Sequence, residues 1–160
     1  MNDLTELMNY TYGLCEDGYY ENAVEYFDTI LVKSPQNTTI LIDKGITLQS
    51  LERYEESIQC FKQALEIDSD NVHAWTNMGI SNHCLARYVK AIDCYDEALK
   101  IDSQSAQILT YKGLSLGEMD RLEAAMWHFD KAVETDKDYD LAVISKKTAL
   151  NYFNKRKDLE

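Results

Sequence analysis

Apolar residues in this chain recur at three- and four-residue steps rather than alternating. In residues 72–105 they fall at Ala74, Trp75, Met78, Cys84 and Leu85, then at Val89, Ala91, Ile92, Tyr95, Ala98 and Leu99. Spacing of the i, i+3, i+4, i+7 kind predicts two amphipathic helices. Only Ala86 and Arg87 separate them, so the two must fold back as antiparallel neighbours. The layout returns in units 4–37, 38–71, 72–105 and 106–139. Ala23, Ser57, Ala91 and Ala125 are 34 residues apart, each followed four residues later by a ring: Phe27, Phe61, Tyr95 and Phe129. Gly45, Gly79 and Gly113 keep the step, as do Ile58, Ile92 and Met126. A fixed period of this size marks a stacked repeat, in which each unit buries its apolar face against its neighbours.

The period carries local chemistry. Ser34-Pro35-Gln36-Asn37, Asp68-Ser69-Asp70-Asn71 and Asp102-Ser103-Gln104-Ser105 separate one helix pair from the next and supply oxygens that can cap the following helix. The small column at Ala23 marks a close crossing within a hairpin. Glycine inside a helix costs about 1 kcal/mol, so Gly45, Gly79 and Gly113 imply a large neighbour filling the gap. The candidates are the rings of Tyr20, Tyr54 and Tyr88, or of Phe27, Phe61, Tyr95 and Phe129.

These residues resemble the tetratricopeptide repeat, W-x2-L-G-x2-Y, then A-x3-F, then P, at a 34-residue period. The third unit supplies Trp75, Met78, Gly79, Ala91 and Tyr95; the first supplies Gly18, Tyr20, Ala23, Phe27 and Pro35. Thr11 replaces the first glycine, Leu122 a tyrosine, and Ser69, Ser103 and Lys137 the proline. The resemblance implies an all-α fold, a right-handed α-solenoid of antiparallel helix hairpins forming one domain over residues 1–160. Residues 140–157 are expected as a capping helix, with Leu141, Ile144, Leu150 and Phe153 toward the last repeat. Lys146, Lys147, Lys155, Arg156 and Lys157 would face outward.

In the family the first helix of each pair lines a concave face. By register, the inward columns are Met8, Ile42, Thr76, Thr110, Ile144; Asn9, Asp43, Asn77, Tyr111, Ser145; and Tyr12, Ile46, Ile80, Leu114, Thr148. Flanking columns contain His73 and Gln107, and Cys15, Gln49, His83 and Gly117. The expected groove residues are Met8, Tyr12, Ile42, Asp43, Ile46, His73, Asn77, Ile80, His83, Tyr111 and Leu114. The family's carboxylate clamp needs Lys or Arg, and the corresponding positions here (Met8, Tyr12, Asp43, His73 and Asn77) hold neither. Tyr12, Ile46, Ile80 and Leu114 read either as residues half-buried between adjacent helices or as an open apolar ridge. An open ridge of four such side chains contributes about 6–8 kcal/mol gross on binding. With Asp43, Glu16 and Glu118 beside it, the ridge would select an apolar segment carrying Lys or Arg.

A formal charge of −12 and a pI near 4.6 disfavour nucleic acid and anionic membrane surfaces. The longest apolar runs are too short to span a bilayer, and the start Met1-Asn2-Asp3 does not read as a secretory signal; a cytoplasmic protein is expected. Cys15, Cys60, Cys84 and Cys94 form no CxxC pair and are expected as buried or half-buried thiols. His83 and Cys84 diverge by about 100° on a helix, and His73 lies about 15 Å from His83, so neither pair suits a metal. His128, beside the Cys60 and Cys94 column, reads as structural. No GxxxxGK[ST] or GxGxxG occurs. The expectation is a non-catalytic interaction module or scaffold without cofactor, binding a protein or peptide. The alternative is a self-assembling scaffold whose groove a second copy fills; the acidic N-terminal end and basic C-terminal one read either as head-to-tail attraction or, more ordinarily, as scattered solubilising charge.

Overall fold

The computed structural model describes residues 4–157. The side chains of Phe153, Lys155, Arg156 and Lys157 lie outside the described residues, so their expected places on the last helix are not addressed. The described residues are all-α: α1 Leu4–Glu16, α2 Tyr20–Lys33, α3 Thr38–Ser50, α4 Tyr54–Ile67, α5 Val72–Cys84, α6 Tyr88–Ile101, α7 Ala106–Glu118, α8 Leu122–Thr135 and α9 Asp140–Lys157. Corresponding helices of successive repeats begin 34 residues apart, so the sequence period is also the period of the elements. Contacts divide the chain into two compact units, Met1–Leu85 and Ala86–Glu160.

Helix starts follow from side-chain chemistry. Asn37, Asn71 and Ser105 each accept a hydrogen bond from the backbone N–H three residues on, at Ile40, Ala74 and Ile108. These caps satisfy amides that the first turn leaves unpaired. Inside the hairpins the chain reverses through a left-handed residue at the same register: Gly18, Glu52, Ala86 and Asp120, with φ between 54° and 81°. Only the first is glycine, the residue for which that conformation is unstrained.

In the first unit α1 packs on α2, α2 on α3, α3 on α4, and α5 on both α3 and α4. Its core joins Leu7, Ala23, Phe27, Ile30 and Ile40, with a second cluster of Val24, Leu48 and Cys60. In the second unit α7 packs on α6, α8 on α7, and α9 on both. Its core holds Leu116, Ala125 and Phe129, and separately Ala106, Leu109, Ala132 and Ala142.

The glycine column has the occupant its spacing demanded. A Cβ on Gly45 would lie 2.5 Å from Cε1 of Phe61, and one on Gly113 the same distance from Cε1 of Phe129. Both rings are buried. Each contributes roughly 1.5–3 kcal/mol through burial, and the missing Cβ admits it.

The one polar member of the small column also has a reason. Ser57 Oγ lies 2.7 Å from Ser81 Oγ across the α4–α5 contact, and Ser81 in turn accepts from Gln49 Nε2 at 2.7 Å. The hydroxyl completes a buried network that an alanine would leave one partner short.

A recurrent ion pair ties helices of successive repeats: Lys44 with Asp28, Lys112 with Asp96, and Lys146 with Asp130. At the corresponding second-repeat positions stand Met78 and Lys62, which cannot pair.

Two expectations need correction. Cys84, the last residue of α5, is exposed rather than buried, because the helix ends there and no further turn covers it; Cys60 and Cys94 are buried and Cys15 half-buried, with no disulfide. The face of α9 is also different. Ala142 and Ser145 are buried, whereas Leu141, Ile144 and Leu150, expected to pack inward, are exposed, as is Val143. α9 keeps the repeat's register, placing Ala142 in the buried column of Ile40, Ala74 and Ile108. Val143 and Ile144 stand in columns that inner repeats bury, at Leu41 and Leu109 and at Ile42, Thr76 and Thr110, whereas the Leu141 column (Thr39, His73, Gln107) is exposed throughout.

Candidate functional site

The first unit offers the face built by α1, α3 and α5. Tyr12, on α1, donates its hydroxyl to Asp43 Oδ2 on α3 at 2.6 Å. Burial, and then the Asp43 carboxylate, push the Tyr12 hydroxyl's pKa well above its usual value. Tyr12 also meets the buried Phe27 edge-on, 6.1 Å between centroids. It is thus an anchored member of the face, and its ring rather than its oxygen is available for apolar contact.

Ile46 is 40% exposed on α3 and Ile80 half-buried on α5. His73 is exposed, and Asn77 donates its amide to the His73 carbonyl at 2.8 Å. Met8 is half-buried against the core of its unit, and His83 is half-buried. Ile42 departs from its expected place: at 8% exposure it belongs to the core, as do Thr76 and Thr110 of the same column. That column points between helices, not along the open face.

Polar side chains close the seams between these first helices. Cys15 Sγ is 3.6 Å from Thr47 Oγ1, and Gln49 Nε2 reaches both Ser81 Oγ and, at 2.9 Å, the Asn77 carbonyl.

The second unit contains the other two expected residues. Tyr111 stacks on Tyr95 with centroids 6.1 Å apart and an interplanar angle of 28°. Burial, and then neighbouring Tyr111, raise the Tyr139 pKa. Leu114 lines a cavity of about 760 Å³ bounded by α7, α8 and α9. Sequence reasoning found Leu114 but not the cavity. Its signal lies in Gly117, which occupies the register of Cys15, Gln49 and His83 without a side chain to fill the seam.

Among the described residues, no group of three or more His, Cys, Asp or Glu is placed to hold a metal ion. No helix among them is long and apolar enough to cross a membrane. His128 carries a buried Nδ1 without a hydrogen-bond partner, beside the Trp127 ring at 4.7 Å. Burial, reinforced by Lys112, holds its pKa down at about 4, so it stays neutral.

The tetratricopeptide repeat family profile matches residues 36–104. No curated protein matches the chain. Among solved structures, MamA from Desulfovibrio magneticus RS-1 is similar with a TM-score of 0.80 at 20% identity, over 99% of this chain and 96% of that one. The tetratricopeptide domain of Sgt2 from Aspergillus fumigatus gives 0.72 at 18% identity, over 76% and 82%. The first such domain of Spaghetti (RPAP3), bound to the HSP90 peptide SRMEEVD, gives 0.71 at 18% identity, over 74% and 94%. At these identities the likeness shows the fold. With the 34-residue helix period, the capped first helices and the glycine–phenylalanine contacts, these findings show a tetratricopeptide-repeat fold, with the family profile itself matched over residues 36–104.

Proposed function

We propose that the chain is a non-catalytic protein–protein interaction module whose first-helix face takes an apolar, basic segment of a partner. The observation that carries this reading is the pair Ile46 and Ile80, apolar side chains with accessible surface on adjacent helices, beside the Asp43 carboxylate. Buried apolar surface supplies affinity and the carboxylates select charge. The HSP90 peptide in the RPAP3 structure ends in acidic residues; this face, with Asp43 and no Lys or Arg among its expected clamp positions, suits the opposite sign. Met8, Tyr12, His73, Asn77 and His83 frame the face in this reading and Ile42 supports it from below; Tyr111 and Leu114 are the groove residues of the second unit. No cofactor, nucleic acid or membrane insertion enters the mechanism, and the protein works in the cytoplasm.

The test is anisotropy with a fluorescein-labelled amphipathic peptide bearing leucines on one face and lysines on the other. Ile46→Asp and Ile80→Asp should each weaken binding by about tenfold or more, equivalent to 1.4 kcal/mol, with helicity unchanged by circular dichroism. Unchanged affinity in folded variants contradicts the assignment. The single-domain reading of residues 1–160 belongs to the same proposal, and one cooperative unfolding transition followed by two probes supports it.

A second reading, self-assembly, draws on α9, where Val143, Ile144 and Leu150 are 41%, 62% and 41% exposed. Three large apolar residues on one uncovered helix are a surface that a second copy can bury. Sedimentation over a hundredfold concentration range separates the readings: a constant monomer mass removes this one.

A further inference from the structure

In the first unit neutral side chains close the seams between first helices at two places: Cys15 with Thr47, and Gln49 with Ser81. A third tie is different. Tyr12 on α1 donates its hydroxyl to Oδ2 of Asp43 on α3 at 2.6 Å, across 31 residues of sequence. That is the length of a charge-assisted O–H···O bond, roughly 2.5–2.7 Å. The same step joins Ile46 on α3 to Asn77 on α5, a pair that cannot form such a bond. Neutral partners suffice to close a seam, and the half-buried Asp43 carboxylate carries a desolvation cost that they avoid. Its charge therefore answers to something beyond the seam.

The carboxylate is only half used. Tyr12 is its one partner among the described residues, and Oδ1 accepts no hydrogen bond from them. Lys44 is the only Lys or Arg in α1, α3 and α5, and it pairs with Asp28 on α2. Arg53, at the turn after α3, is held by Glu21 and Glu56. Asp43 and Ile46 stand three residues apart on one helix, so the charge and the exposed apolar side chain are surface neighbours. The Tyr12 ring rests edge-on against the fully buried Phe27. Its hydroxyl stays protonated, because burial and then the Asp43 carboxylate oppose its ionisation. Asp43 thus has an anchored donor on one oxygen and an open acceptor on the other.

We propose that Tyr12 is a positioning residue for charge recognition: its hydroxyl holds the Asp43 carboxylate so that Oδ1 receives one Lys or Arg of the partner segment seated on Ile46 and Ile80. The proposal rests on the interaction-module reading and adds which group recognises the cation and what holds that group still. A carboxylate already fixed in one rotamer loses less freedom when the cation arrives, so the contact keeps more of its gross strength. Affinity comes from burial of the isoleucines, and the choice of a basic over a neutral side chain comes from the Tyr12–Asp43 pair.

The test uses the full chain, the leucine–lysine peptide described above, and versions of it in which one lysine at a time is glutamine. At one peptide position the change should raise Kd about fivefold or more with the unsubstituted chain, and less than about twofold with Tyr12→Phe or Asp43→Asn. Tyr12→Phe keeps the ring on Phe27 and Asp43→Asn keeps an acceptor for the Tyr12 hydroxyl; circular dichroism checks that both fold. A Tyr12 that only ties α1 to α3 weakens every peptide by the same factor in Tyr12→Phe and leaves the lysine-to-glutamine ratio unchanged, which overturns the positioning role. A second readout needs no substitution in the protein: the Asp43 carboxyl 13C resonance should shift on saturation with the lysine peptide and not with the glutamine version at that position. An equal shift with both overturns the proposal. No position whose ratio depends on Asp43, while Ile46→Asp still weakens binding, overturns it too and leaves the interaction-module reading standing. Failure of the lysine peptide to bind the unsubstituted chain overturns both.

Discussion

Replacing Gly45 by alanine opposes two effects whose sizes can be compared. In a helix interior alanine is favoured over glycine by about 0.8–1.0 kcal/mol. Against this, the new methyl group would sit 2.5 Å from Cε1, 2.7 Å from Cζ and 3.0 Å from Cδ1 of Phe61. Carbon atoms rest at about 3.5–4.0 Å, so the ring must retreat by about 1 Å. Phe61 is fully buried, leaving no solvent side into which to move. Overpacking of this kind costs roughly 1–3 kcal/mol, and the net expectation is destabilisation by about 1–2 kcal/mol. Gly13 lies within α1 and its added Cβ meets nothing within 4 Å. There only the propensity effect operates, and Gly13→Ala should stabilise by about 0.5–1 kcal/mol. The assay is urea denaturation of both variants at constant m-value. Gly45→Ala combined with Phe61→Leu should recover part of the loss, isolating the ring as its cause. If Gly45→Ala stabilises as Gly13→Ala does, the close-approach explanation of the glycine column is wrong.

Other expectations follow from local features. His128 is neutral when folded because its pKa falls from 6.5 to about 4. Its contribution is therefore complete above pH 6.5 and lost as pH falls toward 4, while the unfolded chain takes up the proton. At 1.36 kcal/mol per unit the shift corresponds to at most about 3 kcal/mol, discounted to about 1–2 kcal/mol for partial solvent access. His128→Gln should flatten the stability profile between pH 6.5 and 4.5; an identical slope refutes this. Glu52 adopts φ of 58°, so Glu52→Gly should stabilise by up to about 1 kcal/mol in the same denaturation assay. Asn71→Ala removes the α5 cap on the Ala74 amide and should cost about 1 kcal/mol, read as a fall in denaturation midpoint.

Much of the fold was legible because a strict period states which residues are equivalent. Helix order, cap positions and the large neighbour of Gly45 and Gly113 all follow from it. The period does not give the rotation of a helix about its own axis. Ile42 illustrates this: its column, with Thr76 and Thr110, turns into the core, although the repeat length alone is equally compatible with the open face. In α9 the same gap in information exchanged Ala142 and Ser145 for Leu141 and Ile144 as the buried face, because hydrophobicity favoured the larger residues while register governed packing. Ser57 looked like a mere substitute for alanine until Ser81 lay across from it. The Gly117 cavity needed a relation between columns 32 residues apart, which shows only when neighbouring helices are seen side by side.

The central claim is that an acid-bordered apolar face recruits a basic amphipathic segment. Its most direct test is a methyl-resolved NMR titration of the chain with the leucine–lysine peptide. The account predicts saturable shifts at the methyls of Ile46 and Ile80 that weaken as salt is raised. Saturable shifts confined to methyls buried elsewhere, or none at the highest peptide concentration, would contradict it.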